Sequence, residues 1–449
     1  MAVGDYGYHY LNGKDIAADP DQPSIELSSS RENDFGINSY IYSYMDRPIF
    51  KVIGGAKADM FSGDTADIYG GRGADVFLSS GTAMDDTYGR ANELKGQGGT
   101  DVFYDTFGST DYYGGAQGDF FTNARLLTNS DEGDVDRVFL GRGADQANIT
   151  FGDTFGPEGH HWEDRSLHVD GGKGWDRLFL NTNQVGLQLT SEKVLDFRDA
   201  NTGEMTIANA SFTDFEAFSL NIGARSVTKL HGGKFDDHIE WLDSTNSRTK
   251  DLTINGHGGD DVIIGSYDNK ADFIRGGAGD DIITGAGGQT AGWQDYLYGG
   301  TGDDILFTGS KKVMGEGTAY MRGGQGSDIF VLAHGSNIDY FSRVYSFKTG
   351  IDKIALDFTF GYVLDTDNPR DHLKSLDDTT VVVEKDDAEA LRFTLEITTV
   401  FDTIETHEFS YRRDFGTLRY YDNTEWVKFA AIQDRQDVTI DDFVFYDWG

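Results

Sequence analysis

The chain has no cysteine, which excludes a disulfide framework, a thiolate zinc site and a thiol nucleophile. Proline is nearly absent as well, 5 residues in 449, while glycine reaches 58. With no three-residue period in its glycines, a collagen-like chain is excluded. Basic residues are outnumbered: 38 Lys and Arg face 76 Asp and Glu, for a formal charge of −38 and a pI near 4.4. That balance disfavours nucleic acid or an anionic membrane as a partner and makes cations the expected company. No run of about 18 apolar residues occurs, so no transmembrane helix is predicted. The opening stretch MAVGDYGYHYLNGKD lacks a basic n-region and an apolar h-region, so no cleavable secretory signal is expected there. A hydrophobic fraction of 38%, with 13% aromatics, still suffices for a packed interior.

What the chain does have is a repeat. Gly-Gly-x-x-x-Asp occurs eight times, beginning at Gly54, Gly70, Gly114, Gly171, Gly232, Gly276, Gly299 and Gly323. Looser copies keep the Asp and the apolar residues behind it, as in GDTADIY from 63, GQGGTDVFY from 96, GRGADQANI from 141 and GHGGDDVII from 256. Asp272 and Asp281 are nine residues apart, as are Asp295 and Asp304, and Asp136 and Asp145; Asp59, Asp67 and Asp75 run at intervals of eight. The unit is nine residues, with longer gaps such as 77–95 and 305–322 read as loops between rungs.

Each position has a physical reason. Paired glycines turn the backbone tightly and aim its carbonyls inward. Carbonyls and carboxylates are the hard oxygen ligands that Ca²⁺ collects six to eight at a time. Apolar residues two places past the Asp, such as Phe77, Ile283, Leu306 and Phe330, are expected to point into a thin interior while their neighbours face out. Eight copies in phase exceed what ordinary Gly-Asp turns would give. No G-x-x-x-x-G-K-[ST] phosphate loop and no EF-hand pattern is present.

These loops resemble the nonapeptide G-G-x-G-x-D-x-U-x of RTX (repeats-in-toxin) proteins, the calcium-binding parallel β-roll. Residues 70–78, 276–284, 299–307 and 323–331 match it best. The resemblance implies that successive rungs share ions, pairing Asp272 with Asp281 and Asp295 with Asp304. It implies as metal-binding positions the carboxylates of Asp59, Asp75, Asp101, Asp119, Asp136, Asp145, Asp176, Asp237, Asp260, Asp272, Asp281, Asp295, Asp304 and Asp328. Turn positions Gly276, Ala278, Gly299, Thr301, Gly323 and Gln325 complete the set.

Outside the repeats, INSYIYSYM places Tyr40, Tyr42 and Tyr44 on one face of a strand. That face is either half-buried over the first rung or an aromatic contact surface. Residues 150–230 carry strands such as DRLFLN and EAFSLNIG. The loop GHHWED offers His160, His161, Glu163 and Asp164, whose adjacency on an extended chain suits a surface loop better than one metal site. From 343 a run of alternating strands begins. The stretch FKTGIDKIAL following GGQGSDIFVL is similar to the ending of RTX exoproteins, and the tail DDFVFYDWG looks like an uncleaved type I secretion signal.

A reaction centre is not evident. The nearest approach to H-E-x-x-H is HEFSY at 407–411, with Tyr411 in place of the second His, and it reads as strand. No G-x-S-x-G elbow occurs. Paired carboxylates could serve a glycosidase, but acidic residues are too abundant here to point to any pair.

The expectation is an all-β, elongated parallel β-roll solenoid with glycine-aspartate calcium loops. It divides into an N-terminal β cap (1–50), a first repeat array (51–149), an intervening segment (150–230), a second array (231–342) and a C-terminal β domain with the secretion signal (343–449). Calcium is the expected cofactor and type I secretion machinery the export partner. Location is extracellular or on a bacterial surface, and function is structural, in a self-associating layer, matrix or filament. The alternatives are an enzyme on extracellular polysaccharide and a calcium-dependent carbohydrate adhesin.

Overall fold

A computed structural model of the chain describes residues 8–11, 14–17, 24–27, 31–36, 50–62, 66–78, 92–105, 110–123, 135–150, 166–181, 194–198, 204–207, 210–222, 228–241, 251–266, 270–285, 294–308, 318–333, 341–357, 373–375, 380–386, 388–398, 404–421, 424–433 and 437–446. The protein is all-β. Among the described residues there is no α-helix, and a 3-10 turn occupies Ile440–Asp442. Strands form long parallel ladders, consistent with a β-solenoid. Two compact units are present, one of Met1–Leu189 with Asp196–Ala224 and one of Thr190–Leu195 with Arg225–Gly449.

In the first unit consecutive strands alternate between two parallel ladders. One runs through Asn33–Gly36, Asp59–Ser62, Val76–Leu78, Val102–Asp105, Phe120–Asn123, Gln146–Thr150, Arg177–Asn181 and Ala217–Ile222. The other runs through Ser24–Glu26, Phe50–Ile53, Ala66–Arg72, Asn92–Gly98, Thr110–Ala116, Val135–Gly143, Ser166–Asp170 and Ala210–Thr213. The hairpin of Tyr8–Leu11 and Lys14–Ala17 pairs antiparallel with Asn33–Gly36.

The second unit repeats the plan. Lys229–His231, Leu252–Gly258, Asp272–Ala278, Asp295–Thr301, Ala319–Gln325 and Ser342–Tyr345 form one parallel ladder. His238–Trp241, Val262–Ile264, Ile282–Thr284, Ile305–Phe307, Ile329–Ala333, Lys353–Asp357 and Phe443–Tyr446 form the other. An antiparallel meander of Thr380–Asp386, Ala390–Thr398, Ile404–Arg412, Thr417–Tyr421 and Trp426–Ile432 joins the first of these ladders beside Ser342–Tyr345. The HEFSY stretch lies in Ile404–Arg412, with the Tyr411 side chain fully buried.

The nine-residue spacing acquires its meaning here. Ile274 and Ile283, Leu297 and Leu306, and Met321 and Phe330 are each nine apart, all 0% exposed, and start on opposite ladders. Ile68 and Phe77, Leu94 and Phe103, and Tyr112 and Phe121, none more than 1% exposed, are paired in the same way in the first unit. Nine residues are therefore half a coil: one inward residue, a turn, and its counterpart across the interior. Burying each such side chain is worth about 1.5–3 kcal/mol. Stacking extends the packing along the coil axis, with Phe61 on Phe77 at 5.2 Å and Phe77 on Phe103 at 4.6 Å between ring centroids.

Two sequence readings are narrowed. Val76–Leu78, Asn92–Gly98, Ile305–Phe307 and Ala319–Gln325 reach into the spans read as loops. The Tyr40, Tyr42, Tyr44 face and the GHHWED loop lie outside the described residues.

Candidate functional site

The turns leading into the ladders of Val76–Leu78 and of Ile282–Thr284 bring an Asp to the same place in successive coils. Its backbone N–H donates to Oδ1 of the corresponding Asp one coil on, which aligns the carboxylates in a column. In the first unit the column is Asp59, Asp75, Asp101, Asp119, Asp145 and Asp176, with N···Oδ1 distances of 2.7–2.9 Å. Asn33 donates into it at one end, and Glu216 accepts from Asp176 at the other. In the second unit the column is Asp237, Asp261, Asp281, Asp304, Asp328 and Asp352, at 2.8–3.3 Å.

The other carboxylate oxygen is the unusual one. Oδ2 of Asp75, Asp101, Asp119, Asp145, Asp176, Asp261, Asp281, Asp304 and Asp328 is buried and has no hydrogen-bond partner among the described residues. All of these oxygens except that of Asp145, whose turn opens on Leu140, lie against the first glycine of their own turn. A methyl group placed on Gly256 would sit 2.0 Å from Asp261 Oδ2 and 2.7 Å from the carbonyl oxygen of Gly276, one coil on. On Gly299 it would sit 2.1 Å from Asp304 Oδ2 and 2.7 Å from the Gly323 carbonyl oxygen. A buried carboxylate oxygen and a carbonyl oxygen thus face one small space, which only glycine leaves open. Leaving such oxygens unpaired is costly, and hard cations are bound by this donor set.

Burial pushes these carboxyls far above their ordinary range, to about 9 at Asp261, about 8 at Asp119 and Asp304, and about 7 at Asp75, Asp176 and Asp281. Neighbouring carboxylates add to the effect, Asp237 at Asp261 and Asp101 at Asp119, against the relief given by the accepted backbone N–H. At neutral pH the column either holds protons or needs counter-charge.

The predicted positions are distributed unevenly over this geometry. Asp59, Asp75, Asp101, Asp119, Asp145, Asp176, Asp237, Asp281, Asp304 and Asp328 all belong to the two columns. Asp136, Asp272 and Asp295 lie on the opposite ladders, where Thr110 donates to Asp136 and Asp272 donates to Asp295. The expected sharing of Asp272 with Asp281 and of Asp295 with Asp304 is corrected: Asp272 stacks on Asp295 and Asp281 on Asp304, each pair 23 residues apart. Residues nine apart sit half a coil away, not in the next coil. Asp260 is also displaced. In GHGGDD the sixth place belongs to Asp261, while Asp260 is exposed and joins a second, outer series in which Asp260, Asp280, Asp303 and Ser327 donate to Oδ1 of Asp236, Asp260, Asp280 and Asp303 at 2.7–2.8 Å. Gly276, Gly299 and Gly323 are the buried first glycines. Ala278, Thr301 and Gln325 are exposed, and their carbonyls accept the N–H of Gly259, Gly279 and Gly302 one coil back.

Sequence reading missed Asp352, because its turn FKTGID lacks the paired glycines. That turn supplies a telling substitution. Lys348 sits in it, and its ammonium donates to the carbonyl oxygens of Gly324 at 2.6 Å and Gly326 at 3.3 Å. A fixed side-chain cation thereby occupies turn carbonyls at the end of the column. Among the described residues no three His, Asp or Glu side chains converge closely enough to hold an ion by themselves. An ion would be held by column carboxylates with turn carbonyls completing its shell. No family model and no curated protein matches the chain.

Proposed function

We propose that the chain is a calcium-binding protein of RTX type that folds on meeting extracellular calcium and then serves a structural role as a subunit of a surface layer, matrix or filament. The observation that carries this reading is the run of buried Oδ2 atoms of Asp75, Asp101, Asp119, Asp145, Asp176, Asp261, Asp281, Asp304 and Asp328, which have no hydrogen-bond partner among the described residues; those of Asp261 and Asp304 share a space with the carbonyl of the next coil. Lys348 supports it by setting a positive charge on turn carbonyls of the same kind. When bound, calcium supplies the counter-charge that the chain's own basic residues do not. A donor set of carboxylates and carbonyls in an irregular turn suits its six- to eight-fold shell better than the strict octahedron of Mg²⁺. The Asp side chains hold the ion, the first glycines leave room for it, and the backbone N–H donors fix each carboxylate's orientation.

Coupling folding to the ion gives the chain a direction. Calcium at extracellular, near-millimolar levels fills sites of this weak class, whereas the chain stays open for export by type I machinery at lower levels. The exposed outer series of Asp236, Asp260, Asp280 and Asp303 offers carboxylates that calcium can bridge between copies. Light scattering and negative-stain microscopy of the purified chain test the structural role. Assemblies are expected in millimolar calcium and dispersal in EGTA; a monomer that persists at high concentration in calcium contradicts it.

A further inference from the structure

The outward face of the second unit's ladder carries two rows of side chains that the aspartate columns do not explain. Register aligns Phe273, Tyr296, Tyr320 and Arg343 in one row, and Arg275, Tyr298, Arg322 and Tyr345 in the next. Successive members stand one strand apart, about 4.8 Å, and the rows are two residues apart along each strand, about 6.7 Å. Between them lies a groove of about 350 Å³ lined by Tyr296, Tyr298, Tyr320, Met321, Arg322 and Tyr345.

The rings of Phe273, Tyr296 and Tyr320 are stacked on one another. Phe273 and Tyr296 are 4.7 Å apart with planes at 3°, and Tyr296 and Tyr320 are 4.9 Å apart at 12°. Their faces are mutually covered, so the groove meets ring edges and hydroxyls. Ring edges carry the positive side of the aromatic quadrupole and favour oxygen atoms. The arginines add charge to this. Arg275 lies 5.4 Å from the Tyr298 ring centre, and Arg343 donates to the Tyr320 hydroxyl at 2.6 Å. Among the described residues, Arg275, Arg322 and Arg343 have no carboxylate within ion-pair distance, in a chain with twice as many acidic as basic residues. The first unit's outward face differs: Lys95 pairs with Glu93 at 2.6 Å and Arg137 with Asp111 at 2.8 Å. Lys428, drawn to the Phe341 ring beside Arg343, extends the positive end of the groove.

We infer that this groove binds an acidic polysaccharide, laid along the coil axis with its carboxylates on Arg275 and Arg322 and its hydroxyls on Tyr296, Tyr298 and Tyr320. Guanidinium forks match carboxylates in two-point contact, and phenols donate to and accept from polyols. A single-stranded nucleic acid fits less well, because base stacking needs exposed aromatic faces and these are consumed by the ladder. The inference goes beyond the calcium reading and uses none of the column residues, so its failure leaves that reading standing.

Binding of polygalacturonate to the full chain in millimolar calcium tests it, with neutral dextran and single-stranded DNA as the other arms. Polygalacturonate is expected to bind more tightly than either. The double variant Arg275→Gln/Arg322→Gln should weaken it about tenfold or more, with an unchanged near-ultraviolet spectrum showing that the fold is kept. Tyr298→Phe should weaken it about threefold, and Lys95→Gln should leave it unchanged. Equal binding by the double variant, which would mean calcium bridging to the acidic surface at large, overturns the inference, as does tighter binding of dextran or DNA.

Discussion

At the residue scale, the aspartate column makes opposite demands with and without metal. Asp304 accepts the Asp281 N–H through Oδ1 while Oδ2 faces the same space as the Gly323 carbonyl. Asp304→Asn keeps the acceptor, adds an N–H₂ that can donate to that carbonyl, and removes a buried charge. In metal-free buffer at pH 8 the variant is expected to show more β signal than the parent chain, and in calcium to be less stable by about 1–2 kcal/mol. Circular dichroism in EGTA and thermal melts in calcium check the inversion; a gain under both conditions, or a loss under both, would contradict it. The pH dependence follows from the same groups. Burial raises Asp75, Asp119, Asp176, Asp261, Asp281 and Asp304 from 3.8 to between about 7 and about 9, so the folded chain holds protons that the unfolded chain has released. The protonated columns give their full contribution below about pH 4, and it is lost as pH rises through 7 to 9. Circular dichroism of the metal-free chain should find more β signal at pH 5.5 than at pH 8, and calcium should raise stability most at the alkaline end. A metal-free β signal that grows with pH would contradict this. Lys348→Met removes the fixed cation from the Gly324 and Gly326 carbonyls. Circular dichroism should show less β signal without calcium and a steeper gain on adding it.

At the scale of the turn, two backbone positions enforce the fold. In GGAGDD the glycines at the second and fourth places adopt left-handed φ, 134° at Gly277 and 131° at Gly279, and a Cβ on Gly279 would lie 2.1 Å from the Gly259 carbonyl oxygen. Gly279→Ala should therefore cost more than about 2 kcal/mol. Gln117 holds the equivalent fourth place at φ 84°, so Gln117→Gly should stabilise the first unit by about 0.5–1 kcal/mol. Denaturant melts check both, and a neutral Gly279→Ala would contradict the turn geometry. Much of this element was legible in the sequence: the Gly-Asp turn, the inward Phe77, Ile283, Leu306 and Phe330, and the all-β class. What the sequence left hidden was the partner of each turn. Coil-to-coil spacing varies from 16 residues between Asp59 and Asp75 to 31 between Asp145 and Asp176, because inserts of different length intervene. Nine-residue neighbours therefore looked stacked when they face each other across the interior. The doubled aspartates of GHGGDD hid Asp261 behind Asp260. The Tyr and Arg rows could not be read at all, since only strand register brings residues 23 or 24 apart into line.

At the scale of the whole molecule, a formal charge of −38 sets the terms. Compaction brings like charges together, and the basic residues cannot cancel them. One divalent ion for each of eight motif loops would bring the charge to about −22. Monovalent salt screens exposed charge but reaches the buried columns poorly, so it should not replace calcium. The most direct measurement is a far-ultraviolet circular dichroism titration of the full chain, stripped of metal and then returned stepwise to millimolar calcium. A weak β signal in EGTA that rises cooperatively with calcium, and fails to rise with equivalent NaCl, is the expected result. The same strong β spectrum and melting temperature in EGTA as in calcium would show that the aspartate columns stand without a cation.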